Sequence, residues 1–190
     1  MQKTLFQHLS KFIDLSEKEV EVFRKYIETH QFKKKEYILN AGKVCKYLYF
    51  VEEGCLRMYF VNNKGVEQIT QFALEGWWLS DYQSFTNQKP SDYYIQAIED
   101  ATIISIDYQN LEILLNELPK AEKYFRKMLQ KTVAGAQIRS KLLYEMSKEE
   151  FFVHFSTSFP EFMQRVPQYM IASYLGLTPE YLSELRKKKI

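Results

Sequence analysis

The chemistry that this chain advertises most openly is cationic and lies at its end. Arg165, Arg186, Lys187, Lys188 and Lys189 face only Glu180 and Glu184 over residues 165–190, so five minus two leaves +3 there, against +2 for the whole chain. Cations next to hydroxyls and an aromatic ring (Thr178, Tyr181, Ser183) are the groups that meet phosphates and base edges, and phosphate contacts dominate the affinity of proteins for DNA. The spacing supports this. Ala172 is small where a second helix would cross the first, and Gly176 tolerates the positive φ of a tight turn. Thr178 is a helix cap, and Pro179 suits the first helical position. Ile171, Leu175, Leu177, Leu182 and Leu185 then fall on one inner side. The pattern is a helix-turn-helix whose outward positions are Pro179, Glu180, Tyr181, Ser183, Glu184, Lys187 and Lys188. Glu180 and Glu184 are unusual on such a surface, although a carboxylate can accept from cytosine N4.

Other chemistries find little support. His8, His30 and His154 are scattered and do not read as a metal or haem site. There is no Ser-His-Asp order and no glycine-rich phosphate loop, so the chain does not read as an enzyme. Cys45 and Cys55 are too few for an iron–sulfur cluster or a disulfide scaffold, and read as small buried hydrophobes.

These residues need elements to hold them. The first 30 residues read as helical, with a capping box at Ser16–Glu19. From about Gln31 to Ile106 the period changes to two. Apolar-rich runs at 37–39, 47–51, 55–61, 67–72, 93–98 and 101–106, separated by turn signals, suggest a sandwich or barrel. Asp107 caps a short helix over 111–118, and Pro119 opens a long one running to Met146. At ~1.5 Å per residue that helix spans roughly 40 Å. Its stripe of Tyr124, Met128, Leu129, Thr132, Val133, Ala136, Ile138, Leu142 and Leu143 needs a cover, either a second copy of the chain or the chain's own domain. A second capping box at Ser147–Glu150 restarts a helix over 151–158 and makes 146–147 a hinge. With 190 residues, 46% hydrophobic and 26% charged, and no long apolar run, the chain reads as a cytoplasmic protein without a membrane segment.

The order of β-roll, long helix, hinge and helix-turn-helix resembles the Crp/Fnr family of bacterial regulators over nearly the whole chain. Residues 165–180 (Arg165-Val166-Pro167-Gln168-Tyr169-Met170-Ile171-Ala172-Ser173-Tyr174-Leu175-Gly176-Leu177-Thr178-Pro179-Glu180), followed by Leu182-Ser183 and Arg186-Lys187-Lys188, are similar to the signature of the Bacteroidetes-type branch. So is Gln88-Lys89-Pro90-Ser91 leading to Ile95-Gln96-Ala97. The resemblance implies an α+β fold. An antiparallel jelly roll of the cyclic-nucleotide-binding kind would fill 1–118, a dimerisation helix 119–146 and a helix-turn-helix domain 147–190. It implies a homodimer paired through 119–146, double-stranded DNA as partner, and RNA polymerase as a further one. Thr178, Pro179, Glu180, Tyr181, Ser183, Glu184, Arg186, Lys187, Lys188 and Arg165 would then meet the DNA.

The sequence departs from the family in three ways. No wing is expected after Ile190. Where cyclic-AMP binders carry Gly-Glu-Leu and then Arg-Ser/Thr-Ala, this chain has Ser80-Asp81-Tyr82 and Ser91-Asp92-Tyr93. Asp81 remains able to accept from a ribose hydroxyl, but the phosphate-clamping Arg is missing and Asp92 adds a negative charge. Glu184 stands where the branch has Arg. No cofactor is identified. The expected effector is an unknown small molecule, not cyclic AMP in the usual mode, in a pocket formed by Trp77, Trp78, Leu79, Ser80, Asp81, Tyr82, Ser91, Tyr93, Ala136 and Gln137, with Phe85 and Tyr94 nearby. The aromatic residues also read as ordinary core. The alternative function is a ligand- or protein-binding module whose helix-turn-helix no longer binds DNA.

Overall fold

The computed structural model describes residues 2–188, and side chains as far as Lys187. Two compact units emerge: the described residues up to Phe60 together with Gln71–Gln130, and Val61–Thr70 together with the described residues from Lys131 onward.

The first unit opens with α1 (Lys3–Ser10) and α2 (Glu17–Arg24). The expected capping box forms: Ser16 Oγ accepts from the Glu19 amide, and the Ser16 amide donates to Glu19 Oε2 at 2.8 Å. The opening is not helical through residue 30, however. A turn separates the two helices, and β1 (Glu28–Phe32) follows. Its residues are mostly exposed, and what makes it a strand is main-chain pairing with β8 (Ala101–Asp107), from Glu28 opposite Ser105 to Phe32 opposite Ala101.

The other strands are β2 (Tyr37–Leu39), β3 (Tyr47–Glu53), β4 (Leu56–Val61), β5 (Glu67–Ala73), β6 (Trp78–Leu79) and β7 (Tyr94–Ala97). They form two four-stranded sheets, ordered β1-β8-β3-β6 and β2-β7-β4-β5. Strands β3 and β8 are buried on both faces, which explains their unbroken apolar runs, since neighbouring side chains alternate sides. Tyr49, Val51 and Ile103 point into the roll with Leu39, Met58 and Ile95. Leu48, Phe50, Ile104 and Ile106 point the other way, against Leu5, Leu9, Phe23, Leu114, Tyr124 and Phe125 from α1, α2, α4 (Tyr108–Glu117) and the start of α5 (Pro119–Glu145). Gly54 marks the tightest approach. Its φ is +100°, and a Cβ there would lie 2.7 Å from the Asp100 carbonyl oxygen, so only glycine fits.

The long helix is continuous, but its apolar stripe divides. Ala121, Tyr124, Phe125 and Met128 are buried in the first unit's core. Leu129, Val133, Ala136 and Leu143 beyond them are exposed. The chain's own domain thus covers the first part of the stripe, and the later part is exposed.

In the second unit, the capping box at Ser147–Glu150 starts α6 (Lys148–Ser158), with the Ser147 amide donating to Glu150 Oε2 at 2.8 Å. Then come α7 (Pro160–Arg165), α8 (Gln168–Leu175) and α9 (Pro179–Lys188). Their core holds Phe151, Phe152, Phe155, Phe162, Met170, Ile171, Leu175, Leu182 and Leu185.

Candidate nucleic-acid interface

Helices α8 and α9 meet at a turn of the expected kind. Gly176 adopts φ +68°. The Leu177 amide reaches back to the Ala172 carbonyl at 2.8 Å, and the Gly176 amide to that of Ser173 at 3.2 Å, which satisfies the end of α8 in a Schellman-type closure. Thr178 caps α9, its hydroxyl accepting from the Tyr181 amide at 3.2 Å. Ala172, Ile171 and Leu182 have no exposed surface, and Leu175, Leu177 and Leu185 are buried with them. That common core makes the two helices one rigid piece.

The opposite face is open. Thr178, Pro179, Glu180, Tyr181, Glu184 and Lys187 are exposed, and Ser183 and Arg186 half-buried. The side chain of Lys188 lies outside the described residues, as does Lys189. Arg165 is placed differently from its expected phosphate role: at the end of α7 it pairs with Glu161, Nη1 to Oε1 at 2.9 Å. A phosphate would have to share or displace that partner.

The residues expected to line an effector pocket do not share one wall. Trp78, Tyr82 and Phe85 pack into the core between sheet and helices. There Trp78 Nε1 donates to the Tyr124 hydroxyl at 2.8 Å, and burial pushes the Tyr82 hydroxyl up to about 12. Leu79 and Tyr93 belong to the roll interior. Tyr94 instead stacks on Tyr59, with ring centroids 5.1 Å apart, and Trp77 is 44% exposed. Ala136 and Gln137 are exposed residues of α5 in the second unit.

The polar residues of this group are tied to one another. Asp81 caps α3 (Tyr82–Asn87), one oxygen accepting from the amides of Gln83 and Ser84 at 3.1 and 3.2 Å. Its other oxygen accepts from Ser91 Oγ at 2.6 Å, and Ser91 Oγ in turn accepts from the Tyr93 amide at 3.0 Å. Ser80 Oγ donates to the Tyr47 carbonyl at 3.0 Å and lies 3.2 Å from Cys45 Sγ. Ser84 Oγ accepts from the Cys45 amide at 2.8 Å and donates to the Lys89 carbonyl. The carboxylate that the sequence leaves available for a ribose hydroxyl is thus already occupied by three protein donors. Burial raises the Cys45 thiol, and both cysteines are buried and unbridged. Among the described residues, no three His, Cys, Asp or Glu side chains gather to hold a metal ion. No helix of the described residues is long and apolar enough to cross a membrane.

Comparison with known proteins agrees with this architecture. Residues 29–117 match the cyclic nucleotide-binding domain family. The chain is 30% identical over 184 residues to the fumarate and nitrate reduction regulatory protein of Vibrio cholerae serotype O1, covering 90% of this chain and 72% of that one. The chain belongs to the Crp/Fnr family of DNA-binding transcription regulators. Solved structures of like fold include the c-di-GMP responsive global regulator CLP of Xanthomonas campestris (TM-score 0.72, 16% identity, 91% of each chain). Another is FixK2 of Bradyrhizobium japonicum (TM-score 0.69, 21% identity, 85% of this chain and 83% of that one).

Sequence reasoning missed the residues that hold α8 from outside the helical pair, Arg139 above all. They act through contacts between distant parts of the chain, for which no local motif exists.

Proposed function

We propose that this Crp/Fnr regulator works as a homodimer paired through residues 119–146, each chain presenting α9 to one major groove of double-stranded DNA. The observation that carries this reading is an asymmetry within α9: Leu182 and Leu185 are buried, whereas the basic and polar side of the same helix is open to solvent. The dimer reading draws on Leu129, Val133, Ala136, Ser140 and Leu143, exposed at spacings of four and three along α5, the repeat of a paired-helix seam. A two-fold dimer would span half-sites about one helical turn, ~34 Å, apart. Arg186, Lys187 and Lys188 serve the phosphates, with a lesser part for Arg165. Thr178 and Pro179 set the entry of the helix, and Glu180, Tyr181, Ser183 and Glu184 lie nearest the bases.

The division of labour follows the sequence: a sensor roll over 1–118, a dimerisation helix over 119–146 and a reading head over 147–190, acting in the cytoplasm. The internal bonding of Asp81 with Ser91 supports a roll that does not take cyclic AMP in the usual mode. The effector is a different, unidentified small molecule taken by the roll. RNA polymerase is the further partner. The second reading, a docking module without DNA affinity, has one observation in its favour, the two exposed acids Glu180 and Glu184 on the reading face.

Salt separates the two. DNA affinity should fall steeply between about 50 and 200 mM salt, and Lys187→Ala with Lys188→Ala should weaken all sequences alike and reduce the slope by about two. A salt-insensitive complex, or an unchanged slope in the variant, would contradict the phosphate assignments.

A further inference from the structure

Strand β5 is the last in its sheet, so one edge presents its main-chain groups to α8 rather than to another strand. A single side chain of α8 meets two of them. Ser173 Oγ donates to the Glu67 carbonyl at 2.9 Å and accepts from the Ile69 amide at 3.1 Å, supplying the pair of bonds that a neighbouring strand would otherwise make. The next residue is fastened to a different support. The Tyr174 carbonyl accepts from Arg139 Nη2 at 3.0 Å, and the guanidinium lies over the Tyr174 ring, 3.9 Å from its centroid. Arg139 Nη1 also approaches the Thr70 carbonyl at 3.5 Å, a longer contact that joins the same cation to β5. A cation at this end of α8 also suits the negative dipole end of the helix. All of these groups belong to the second unit.

We propose that Ser173 and Arg139 are positioning residues that fix the pose of the α8–α9 head against α5 and β5, and thereby set the half-site spacing that the dimer accepts. Because α8 and α9 share one buried core, fastening the last turn of α8 fastens the reading helix too. Neither contact uses the outer face of α9, which stays open. Each base pair added between half-sites turns the second one by roughly 35° and moves it by about 3.4 Å. A head held at two points cannot follow such a change, whereas a loosely held head can. The inference rests on the dimeric DNA-binding reading above.

The test uses the full chain, unaltered and as the Ser173→Ala/Arg139→Gln double variant. Both are titrated against a selected inverted repeat and against versions with one central base pair inserted or removed. The unaltered protein should lose about tenfold or more in affinity on the altered spacings, and the double variant less than about threefold, because preorganisation is what the contacts supply. A merely structural defect would weaken all three sites together. Hydrogen exchange at the Ile69 amide should quicken in the variant while the amides of α6 and α9 keep their protection. Equal discrimination by both proteins, or unchanged exchange at Ile69, overturns the positioning role and leaves the dimeric reading standing. Indifference of the unaltered protein to spacing also overturns it. Failure of the unaltered protein to bind any of the three removes the dimeric reading, and this inference with it.

Discussion

Asp81 in the roll and Glu184 on the last helix are both acids among hydroxyls and aromatic rings, and the fold uses them in opposite ways. Asp81 is buried, and its two oxygens take bonds from Gln83, Ser84 and Ser91. Glu184 is exposed beside Tyr181 and Ser183. The first cluster is closed on itself, so its bonds go to stability. The second lies open on a rigid helix pair, as the proposed contact with DNA requires. The same contrast runs along α5, whose first part is covered by its own domain while the remainder is exposed.

The comparison can be broken most forcefully on α5. Val133→Asp, at a residue 55% exposed, should give a monomer and reduce affinity for an inverted repeat by about 10²–10⁴-fold, as expected when two linked sites become one. Sedimentation and titration check this, and a variant that stays dimeric with full affinity would remove α5 from the interface. Asp81→Ala comes next. It deletes a helix cap worth about 1 kcal/mol and strands a buried hydroxyl at a further 1–3 kcal/mol, so denaturation should show a loss of roughly 2–4 kcal/mol. The sequence preference of the head should not change. Glu184→Gln should do the reverse, leaving stability intact and shifting base preference at one position of each half-site by about 1–3 kcal/mol, read from binding to a site library.

The smallest effect concerns acid. The Ser16 amide, then Lys120 and the Ser16 hydroxyl, hold the Glu19 carboxyl at about 2 instead of 4.5. A lowered folded-state value means stability present above about pH 4.5 and lost as pH falls through about 2. Glu19→Gln should lower the neutral-pH midpoint slightly and flatten that acid limb, so that the two proteins converge towards about pH 2, and an identical limb in both would contradict the assignment.

How much of this is legible in the sequence depends on range. Six strands announce themselves by alternation or apolar runs, but β1 does not, because Glu28–Phe32 is polar and is made a strand only by its partner β8. The two-residue β6 is too short to show a period. Both capping boxes and the Gly176–Thr178 turn are local chemistry and form as read. The aromatic group from Trp77 to Tyr94 misleads because a strand and a helix that follow one another send neighbours to opposite faces: Leu79 into the roll, Trp78 and Phe85 away from it. Ser173 reaches Ile69 across 104 positions of sequence, and no spacing rule anticipates such a bond.

That two chains read two half-sites can be checked by selecting bound fragments from sheared genomic DNA with the purified protein at two salt concentrations and sequencing them. Inverted repeats with centres about one helical turn apart should be enriched, more weakly but without redistribution at the higher salt. Uniform or absent enrichment at both concentrations would contradict it and move the docking-module reading to the front.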